Sequence, residues 1–324
     1  MKISELNERA LIEHIEGLLA RQGKKTVVGA GEDDCAVLDI GGDDYLLSTM
    51  DMLHRETDFP PQMSGWQIGW MSAAVNLSDL ASKGAKPLGI LMAIGIPPDT
   101  ELDFFDDIIK GIDDCAQRSG TQVIGGDMDS HEELTITGTA LGLVNKDLLI
   151  RRSGANPGDI VCVTGNLGTA GAALISLQKK IAVNKKILKA LFEPSPRINE
   201  GMALVETRAI TSMMDISDGL ALSLHDIAKA SCVGFKIYED KLPVLEEVRK
   251  LLKGDELTEA VVFTGGDFEL LFTVRADMIN EAGKACRFSV IGEVIKEDIL
   301  IERSDGIEEL KSRGFEHFKQ QRYR

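Results

Sequence analysis

Short apolar segments alternate with glycine- and aspartate-rich turns along the whole 324-residue chain. Residues 66–80 repeat their apolar side chains at helical spacing, whereas residues 88–96 form a continuous apolar run of strand length. Two strand-like segments surround the turn at 41–44, so the chain does not begin as a simple series of βαβ units. This mixture predicts an α+β fold.

A turn-forming stretch at residues 151–158 divides the chain after a predicted strand. A length of 324 residues is typical of about two domains. We therefore expect two mixed α/β domains, 1–150 and 151–324. Helices are predicted at 3–20, 64–84, 102–117, 220–230 and 243–252, and a further helix leads from the turn at 165–171 to about residue 180. Strands are predicted at 36–40, 45–52, 88–96, 122–124, 134–144, 159–164, 234–238, 270–274 and 289–294. Residues 181–200 are predicted to be a charged connection.

Charge, hydropathy and cysteine spacing argue against several classes of protein. Asp and Glu outnumber Lys and Arg by 52 to 36, which argues against a general affinity for nucleic acid or an anionic membrane. No stretch approaches the roughly 18 apolar residues of a membrane helix, and residues 1–9 lack the apolar core of a signal peptide. The five cysteines are scattered without a CxxC pair, so we expect reduced thiols in a cytoplasmic protein.

Aspartates recur beside apolar elements. Each one taken singly is best interpreted as a solvated loop acid, but that interpretation is weaker for the set as a whole. Asp51 ends a predicted strand and Asp79 lies in a mainly apolar helix, where carboxylates are costly unless compensated. Converging carboxylates repel one another, and divalent cations relieve the repulsion. Because cysteine and histidine are scarce near these positions, the pattern favours Mg²⁺ over Zn²⁺. The other aspartates in the set are Asp34, Asp127, Asp215 and Asp218.

Glycine pairs at 125–126, 165–168 and 265–266 offer backbone N–H groups that a phosphate can approach, although each also reads as a tight structural turn. The chain has no P-loop, no GxGxxG turn opening a βαβ unit and no protein-kinase motif set. An ATP enzyme outside those classes is therefore indicated. The arginine pair at 151–152 is open to two readings, a phosphate contact or an ordinary surface pair.

Taken in order, several motifs closely resemble those of the thiamine-monophosphate kinase family, which is part of the aminoimidazole-ribotide-synthetase-like ATP-binding superfamily. The likeness extends from about residue 3 to Phe318. Its most specific blocks are Asn-Leu-Ser-Asp at 76–79 and Asp-Ile-Ser-Asp-Gly at 215–219. The remaining blocks are 32–36, 48–51, 84–87, 124–127, 152–159, 194–197 and 265–272.

The resemblance implies transfer of the γ-phosphoryl group of ATP to thiamine monophosphate, giving thiamine diphosphate and ADP. A phosphate monoester is already a competent nucleophile at neutral pH, so we expect direct in-line transfer assisted by Mg²⁺, with no catalytic side chain beyond positioning groups. Two alternatives remain. One is a related ATP-dependent synthetase or maturation enzyme with another acceptor, and the other is a non-catalytic module that binds nucleotide and metal.

The resemblance also implies roles for individual residues. It implies a homodimer whose N-terminal sheets pair, with the nucleotide near the junction, and a C-terminal domain that completes the active site. The implied metal-site residues are Asp34, Thr49, Met50 through its backbone, Asp51, Asp79, Asp127, Asp215 and Asp218. The implied nucleotide contacts are Gly126, Asp127, Arg152 and Ser217.

Three positions concern the acceptor, and at two of them the chain departs from the common family pattern. Many members have histidine where Asp58 stands. The segment 265–269 is one residue shorter than the usual Gly-Gly-Glu-Asp-Tyr-Glu, which implies Asp267 in place of a substrate-contacting glutamate. Phe315 matches an aromatic residue that stacks on the acceptor. The implied acceptor contacts are therefore Asp58, Asp267 and Phe315.

Overall fold

The computed structural model describes residues 3–6, 8–19 and 23–316. The chain divides into two compact units. The first comprises Met1–Leu80, Lys86–Lys146 and Glu316–Arg324, and the second comprises Ala81–Ala85 and Asp147–Phe315. Phe318, the predicted end of the family likeness, lies outside the described residues.

The first unit is built on a six-stranded sheet. The strand order is β1-β2-β3-β6-β4-β5, and only β4 and β5 run parallel. Its strands are β1 (Thr26–Val28), β2 (Ala36–Asp39), β3 (Asp44–His54), β4 (Lys86–Ile96), β5 (Val123–Ser130) and β6 (Thr135–Asn145). Its helices are α1 (Glu8–Leu18), α2 (Gly65–Ser82) and α3 (Leu102–Arg118), and a 3-10 turn covers Ile3–Glu5.

Helices α2 and α3 touch backbone to backbone at two glycines. A Cβ on Gly69 would lie 1.9 Å from the Ile108 carbonyl oxygen, and one on Gly111 would lie 1.9 Å from the Trp66 carbonyl oxygen. Helix α2 begins with a capping box, because the Gln67 N–H donates to Ser64 Oγ (3.2 Å) and the Ser64 N–H donates to Gln67 Oε1 (3.1 Å). The close crossing fixes the helix that carries Asn76 and Asp79.

Buried and more exposed side chains alternate along parts of several strands of this sheet, whereas all of β5 is exposed. Leu47 and Thr49 on β3 are buried, whereas Met50 and Met52, which point to the opposite face, are exposed. Leu38 on β2 and Leu88 on β4 are also exposed. The first unit therefore presents large apolar side chains on its strands.

The second unit is built on a seven-stranded sheet of order β13-β12-β9-β11-β7-β10-β8, in which only β9 and β12 run parallel. Its strands are β7 (Ile160–Thr164), β8 (Ile210–Asp215), β9 (Gly234–Tyr238), β10 (Leu270–Val274), β11 (Phe288–Ile295), β12 (Ile299–Arg303) and β13 (Gly306–Glu309). Its helices are α4 (Thr169–Gln178), α5 (Lys185–Phe192), α6 (Ile198–Glu206), α7 (Leu220–Ser231), α8 (Glu246–Leu251), α9 (Asp255–Thr258) and α10 (Ile279–Ala285).

The core of the second unit lies between its central strands and α7. Val163 on β7, Leu271 on β10 and Phe235 on β9 are fully buried with Leu224 and Ile227 of α7. At about 25 cal/mol per Å² of buried apolar surface, such side chains supply most of the stability of a domain this size. This packing holds the ends of β7, β8 and β10, where several predicted site residues lie.

The predicted α+β class is confirmed, while some predicted elements differ. The expected charged connection at 181–200 contains α5 and the start of α6. The helix expected at 243–252 spans only Glu246–Leu251. The strand at 210–215 was not predicted, because its polar residues interrupt the apolar pattern. In the described part of the chain, no helix has both the length and the apolar character needed to cross a bilayer.

Candidate active site

In the first unit, Thr49 links two predicted metal-site residues. Its Oγ1 donates to Asp79 Oδ2 at 2.5 Å and lies 3.2 Å from the backbone oxygen of Asp34. Thr49 is buried on β3, and Asp79 reaches it from α2. The hydrogen bond fixes the direction of the Asp79 carboxylate, so three residues that are distant in sequence meet at one corner of the sheet.

Asn76 holds β3 at this corner. Its side chain is fully buried, its Oδ1 accepts the Asp51 N–H at 3.0 Å, and its Nδ2 donates to the Ser72 carbonyl oxygen at 3.0 Å. A Cβ on Gly138 would lie 2.3 Å from Asn76 Nδ2, so only glycine leaves room for the amide. Asn76 is absent from the predicted site residues. The sequence feature that could have identified it is its spacing of three residues from Asp79, which places both side chains on one face of the helix.

We call these five residues, Asp34, Thr49, Asp51, Asn76 and Asp79, the Thr49 corner. Asp51 lies inside β3, which continues to His54, so the expectation that it ends a strand is wrong. Met50, whose backbone was predicted to bind metal, also lies in β3 and has an exposed side chain.

Gly126 and Asp127 lie on β5, at the edge of the sheet. Asp127 is inside this strand rather than after it, contrary to the sequence expectation. A Cβ on Gly126 would lie 1.9 Å from the Met92 carbonyl oxygen, so glycine allows β5 to approach β4 here. Beside them is a cleft of about 670 Å³ between β5 and α3, lined among others by Met92, Ile109 and Ile112.

The register of the sheet separates Asp51 from Asp127. Asp51 pairs with Gly138, Gly138 with Met92, and Met92 with Gly126, so two strands lie between the two aspartates. At about 4.8 Å per strand spacing, their backbones are about 14 Å apart. Oxygens on one Mg²⁺ are at most about 4 Å apart, and two aspartate side chains bridge only about 7 Å more. One ion therefore does not bind both within this chain.

The carboxylates alone do not form a compact metal group. Within residues 3–6, 8–19 and 23–316, no three His, Cys, Asp or Glu side chains form a group that could hold a metal ion. The donors in the Thr49 corner are nevertheless oxygens, drawn from carboxylates, a hydroxyl and backbone carbonyls. Oxygen donors are the ligands that Mg²⁺ prefers.

In the second unit, the predicted site residues Asp215, Ser217 and Asp218 lie at one loop, and a fourth, Phe315, is hydrogen-bonded to it. Asp215 ends β8 and is buried, and Gly219, with φ of +103°, precedes the first turn of α7. Between them, Ser217 accepts the Gly266 N–H through its backbone oxygen at 2.8 Å, and Asp218 accepts the Phe315 N–H through its backbone oxygen at 3.0 Å. Three motifs of the sequence thus meet at this loop.

The 265–269 segment approaches that loop because of a glycine. A Cβ on Gly265 would lie 2.0 Å from the Ser217 carbonyl oxygen. Two further backbone hydrogen bonds join Phe268 to Ile216 (3.0 Å) and Ile216 to Glu269 (2.8 Å). The glycine pair that was considered as a phosphate contact therefore has a packing role here.

Asp267 faces the first turn of α4. Its Oδ2 accepts the Gly168 N–H at 2.6 Å, and its Oδ1 accepts the Ala170 N–H at 3.2 Å. Burial raises the pKa of this carboxyl to about 7, against the opposing effect of the two N–H groups. Both oxygens stabilise the helix, and acceptor binding by Asp267 stays a prediction.

Replacing Asp267 by Asn should change how stability depends on pH. A folded-state pKa raised from 3.8 to about 7 favours folding at pH 4 and below, and this contribution is lost as the pH rises to 7. We expect Asp267→Asn to cost a few kcal/mol at pH 5 and less at pH 8. Urea unfolding at both pH values tests this, with the exposed Asp277→Asn as control. An equal cost at both pH values would contradict it.

Glu269 and Arg197 form a bidentate ion pair. The sequence analysis included them only as members of the motif blocks 265–272 and 194–197. Arg197 Nε and Nη2 donate to Glu269 at 2.7 and 2.5 Å, and Thr164 Oγ1 donates to Glu269 Oε2 at 2.7 Å. Burial lowers the pKa of Arg197, but its hydrogen bonds and ion pair with Glu269 outweigh this and raise it. The pair is structural, since these contacts use both Glu269 oxygens.

Two predicted contacts lie in local turns. The Asp58 carboxylate accepts the His54 N–H (2.8 Å) and the Thr57 hydroxyl (2.7 Å) through Oδ2. The backbone oxygen of Arg152 accepts the Ser231 hydroxyl at 3.2 Å. None of these three bonds tests the predicted ligand contacts of the Asp58 and Arg152 side chains.

Comparison with known proteins places the chain in a family. Residues 32–144 match the family model described as AIR synthase related protein, N-terminal domain, and residues 156–303 match the corresponding C-terminal domain. The thiamine-monophosphate kinase of Methanospirillum hungatei JF-1 is 44% identical over 248 residues, which is 76% of this chain and 81% of that protein. The chain belongs to the thiamine-monophosphate kinase family. The resemblance read from the sequence is therefore confirmed.

Other family members match over nearly the full length. The thiamine-monophosphate kinase of Archaeoglobus fulgidus is 35% identical over 325 residues, covering 98% of this chain and 100% of that one. Among solved structures, AaThiL complexed with AMPPCP and TMP superposes with a TM-score of 0.86 at 25% identity. The superposition covers 98% of this chain and 99% of that one. Both units thus match this family member.

Proposed function

We propose that this chain phosphorylates thiamine monophosphate to thiamine diphosphate at the expense of ATP. The observation that carries the proposal is the full-length likeness to AaThiL, whose solved structure holds AMPPCP and TMP. The 44% identity to a thiamine-monophosphate kinase over three quarters of the chain supports it independently. A related synthetase or maturation enzyme with another acceptor is the alternative.

The reaction requires little from a protein base. A phosphate monoester dianion attacks the γ-phosphorus of ATP, the bond from that phosphorus to the bridging oxygen breaks, and ADP departs with the electron pair. The obstacle is repulsion between two anionic reactants and their alignment. Mg²⁺, when bound, neutralises phosphate charge. Oxygen-rich, rigidly held side chains suit this chemistry.

In the first unit, the Thr49 corner supplies the proposed metal ligands. Asp34, Thr49, Asp51 and Asp79 provide oxygens, with the Met50 backbone oxygen on the same strand. The Thr49 hydroxyl and the Asn76 amide hold Asp79 and the Asp51 backbone in place. In the second unit, Asp215 and Asp218 are the proposed metal ligands, and Ser217 and Arg152 the proposed nucleotide contacts.

The cleft between β5 and α3 is the proposed place for the nucleotide base. Its apolar lining by Met92, Ile109 and Ile112 suits a flat aromatic ring, and the backbone of Gly126 and Asp127 borders it. Apolar clefts with a few polar groups are the usual form of small-molecule sites. This arrangement supports the predicted nucleotide contacts at Gly126 and Asp127.

The homodimer is also a proposal. Large apolar side chains exposed on the first unit's strands, among them Met50 and Met52, suit burial against a second copy. The separation of Asp51 from Asp127 within one chain gives a functional reason for a second copy. The sheet register fixes the distance between these two residues only within one chain, so the Asp127 of a second copy can lie closer to Asp51. Acceptor contacts at Asp58, Asp267 and Phe315 remain predictions.

Coupled ADP release tests the function. We expect release from ATP and Mg²⁺ to depend on thiamine monophosphate, and mass spectrometry to identify thiamine diphosphate. Thiamine without its phosphate is the matched control and should give no release above background. Release that requires a different acceptor would favour the alternative enzyme, and no release with any acceptor would favour a non-catalytic module. Protein-bound phosphate after rapid quench with γ-labelled ATP would contradict direct transfer.

A further inference from the structure

Arg55 stands apart from the other buried or half-buried arginines. It follows the last residue of β3, and its N–H donates to the Leu134 carbonyl oxygen at 2.8 Å, which continues the pairing of β3 with β6. Its side chain is half-buried, and the buried Nη1 atom has no hydrogen-bond partner in the part of the chain that the structure describes. A guanidinium with a buried, unsatisfied donor is costly and indicates a missing acceptor.

The electrostatic surroundings of Arg55 are equally unusual. Burial alone lowers the pKa of its guanidinium, and no carboxylate acts against that effect. Arginine nevertheless stays protonated at neutral pH. Arg197, by contrast, meets Glu269 through two hydrogen bonds. In a chain with 52 acidic residues, a half-buried arginine without such a neighbour is available for an external anion.

Two acids, Asp58 in the turn after Arg55 and Glu133 next to its strand partner Leu134, have other contacts. Asp58 Oδ2 accepts the His54 N–H and the Thr57 hydroxyl. Glu133 Oε2 accepts the Glu56 N–H at 3.3 Å, and Glu133 Oε1 lies 3.9 Å from His54 Nδ1. Asp58 Oδ2 and both oxygens of Glu133 thus meet groups other than the Arg55 guanidinium.

The position of Arg55 relates it to the Thr49 corner. Arg55 follows Asp51 by four residues, and the hydrogen bond to Leu134 keeps it in register, so both side chains leave the same face of the strand. Their backbones are about 13 Å apart along β3. An arginine side chain can span about half of that distance, and a phosphate between the two positions would be within its reach.

We propose that the Arg55 guanidinium binds the phosphate of the acceptor, and that Arg55 thereby selects a phosphate-bearing acceptor. This assignment rests on the proposed function. The planar fork of arginine matches the oxygens of a phosphate monoester with two parallel hydrogen bonds. Those bonds would offset the cost of keeping the guanidinium half-buried and would hold one anionic reactant near the Thr49 corner. Asp58, in the same turn, is one of the three positions predicted to contact the acceptor.

Calorimetric titrations of the full chain with thiamine monophosphate, thiamine and AMPPCP test the proposal. We expect Arg55→Gln to weaken thiamine monophosphate binding about 10- to 100-fold, while affinities for thiamine and AMPPCP stay within about twofold of wild type. Arg55→Lys should lose less, because it keeps the charge but not the fork. Arg118→Gln is the matched control, since Arg118 is exposed and lies over the Trp70 ring at 5.2 Å.

Each outcome decides the assignment. Unchanged thiamine monophosphate binding by Arg55→Gln overturns it, and so does an equal loss for thiamine or a loss for AMPPCP alone. A wild-type chain that does not bind thiamine monophosphate overturns the proposed function as well, which separates the two failures. Should Arg55→Gln unfold, the same comparison is made with Arg55→Lys, for which unaltered selectivity between thiamine monophosphate and thiamine overturns the proposal.

Discussion

Asp79→Asn should lower kcat by about 100-fold or more while leaving the protein folded. The substitution removes a negative charge from the Thr49 corner but keeps an oxygen that can accept the Thr49 hydroxyl, which now donates to Asp79 Oδ2 at 2.5 Å. Loss of one group that stabilises transition-state charge typically costs two to three orders of magnitude in rate. Steady-state kinetics with ATP, Mg²⁺ and thiamine monophosphate measure the effect.

The control for this variant is Asp106→Asn, the same exchange at an exposed position of α3. It should leave both kcat and the melting temperature close to wild type. Asp79→Asn should share that melting temperature within a few degrees, because the packing of α2 at Gly69 and the capping at Ser64 do not involve Asp79. Unfolding of Asp79→Asn would assign the carboxylate a structural role, and an unchanged kcat would remove it from the active site.

A mainly local pattern was enough to predict much of the fold. The helix through Asn76 and Asp79 was evident from its apolar spacing, and β4 from its apolar run. Helices α5 and α6 were missed because their residues look like a charged connection when read alone. Ser212 on β8 is fully buried and hydrogen-bonds Thr273 at 2.7 Å, so a polar residue serves the core only once its partner strand is present.

The candidate site shows the same limit. Asp34, Asp51 and Asp79 were selected by motif. The spacing of Asn76 from Asp79 indicated a shared helix face, but its contacts with Asp51 on β3 and Gly138 on β6 depend on packing that the sequence does not reveal. The unsatisfied guanidinium of Arg55 likewise depends on what its neighbours already bind. The sequence indicated which groups carry the chemistry, whereas sheet register decides which of them can act together within one chain.

Mixed dimers of Asp79→Asn and Asp127→Asn chains should recover about half of wild-type activity, although each variant alone is expected to be nearly inactive. Asp51, in the same corner as Asp79, is separated from Asp127 by two strands within one chain. If one active site takes the Thr49 corner from one subunit and Asp127 from its partner, a mixed dimer contains one site with both residues intact and one with neither. Tandem purification of differently tagged chains isolates such dimers for assay.

The informative control combines Asp79→Asn with Asp51→Asn. Asn76 of α2 accepts the Asp51 N–H and Asp79 of the same helix accepts the Thr49 hydroxyl, so both acids belong to one corner of one chain. Each site of that mixed dimer carries one defective residue, and we expect no recovery. Recovery there, or none in the Asp79→Asn and Asp127→Asn pair, would contradict a shared site. A chain that sediments as a monomer while remaining active would rule out the second copy altogether, because Asp127 would then act without a partner subunit.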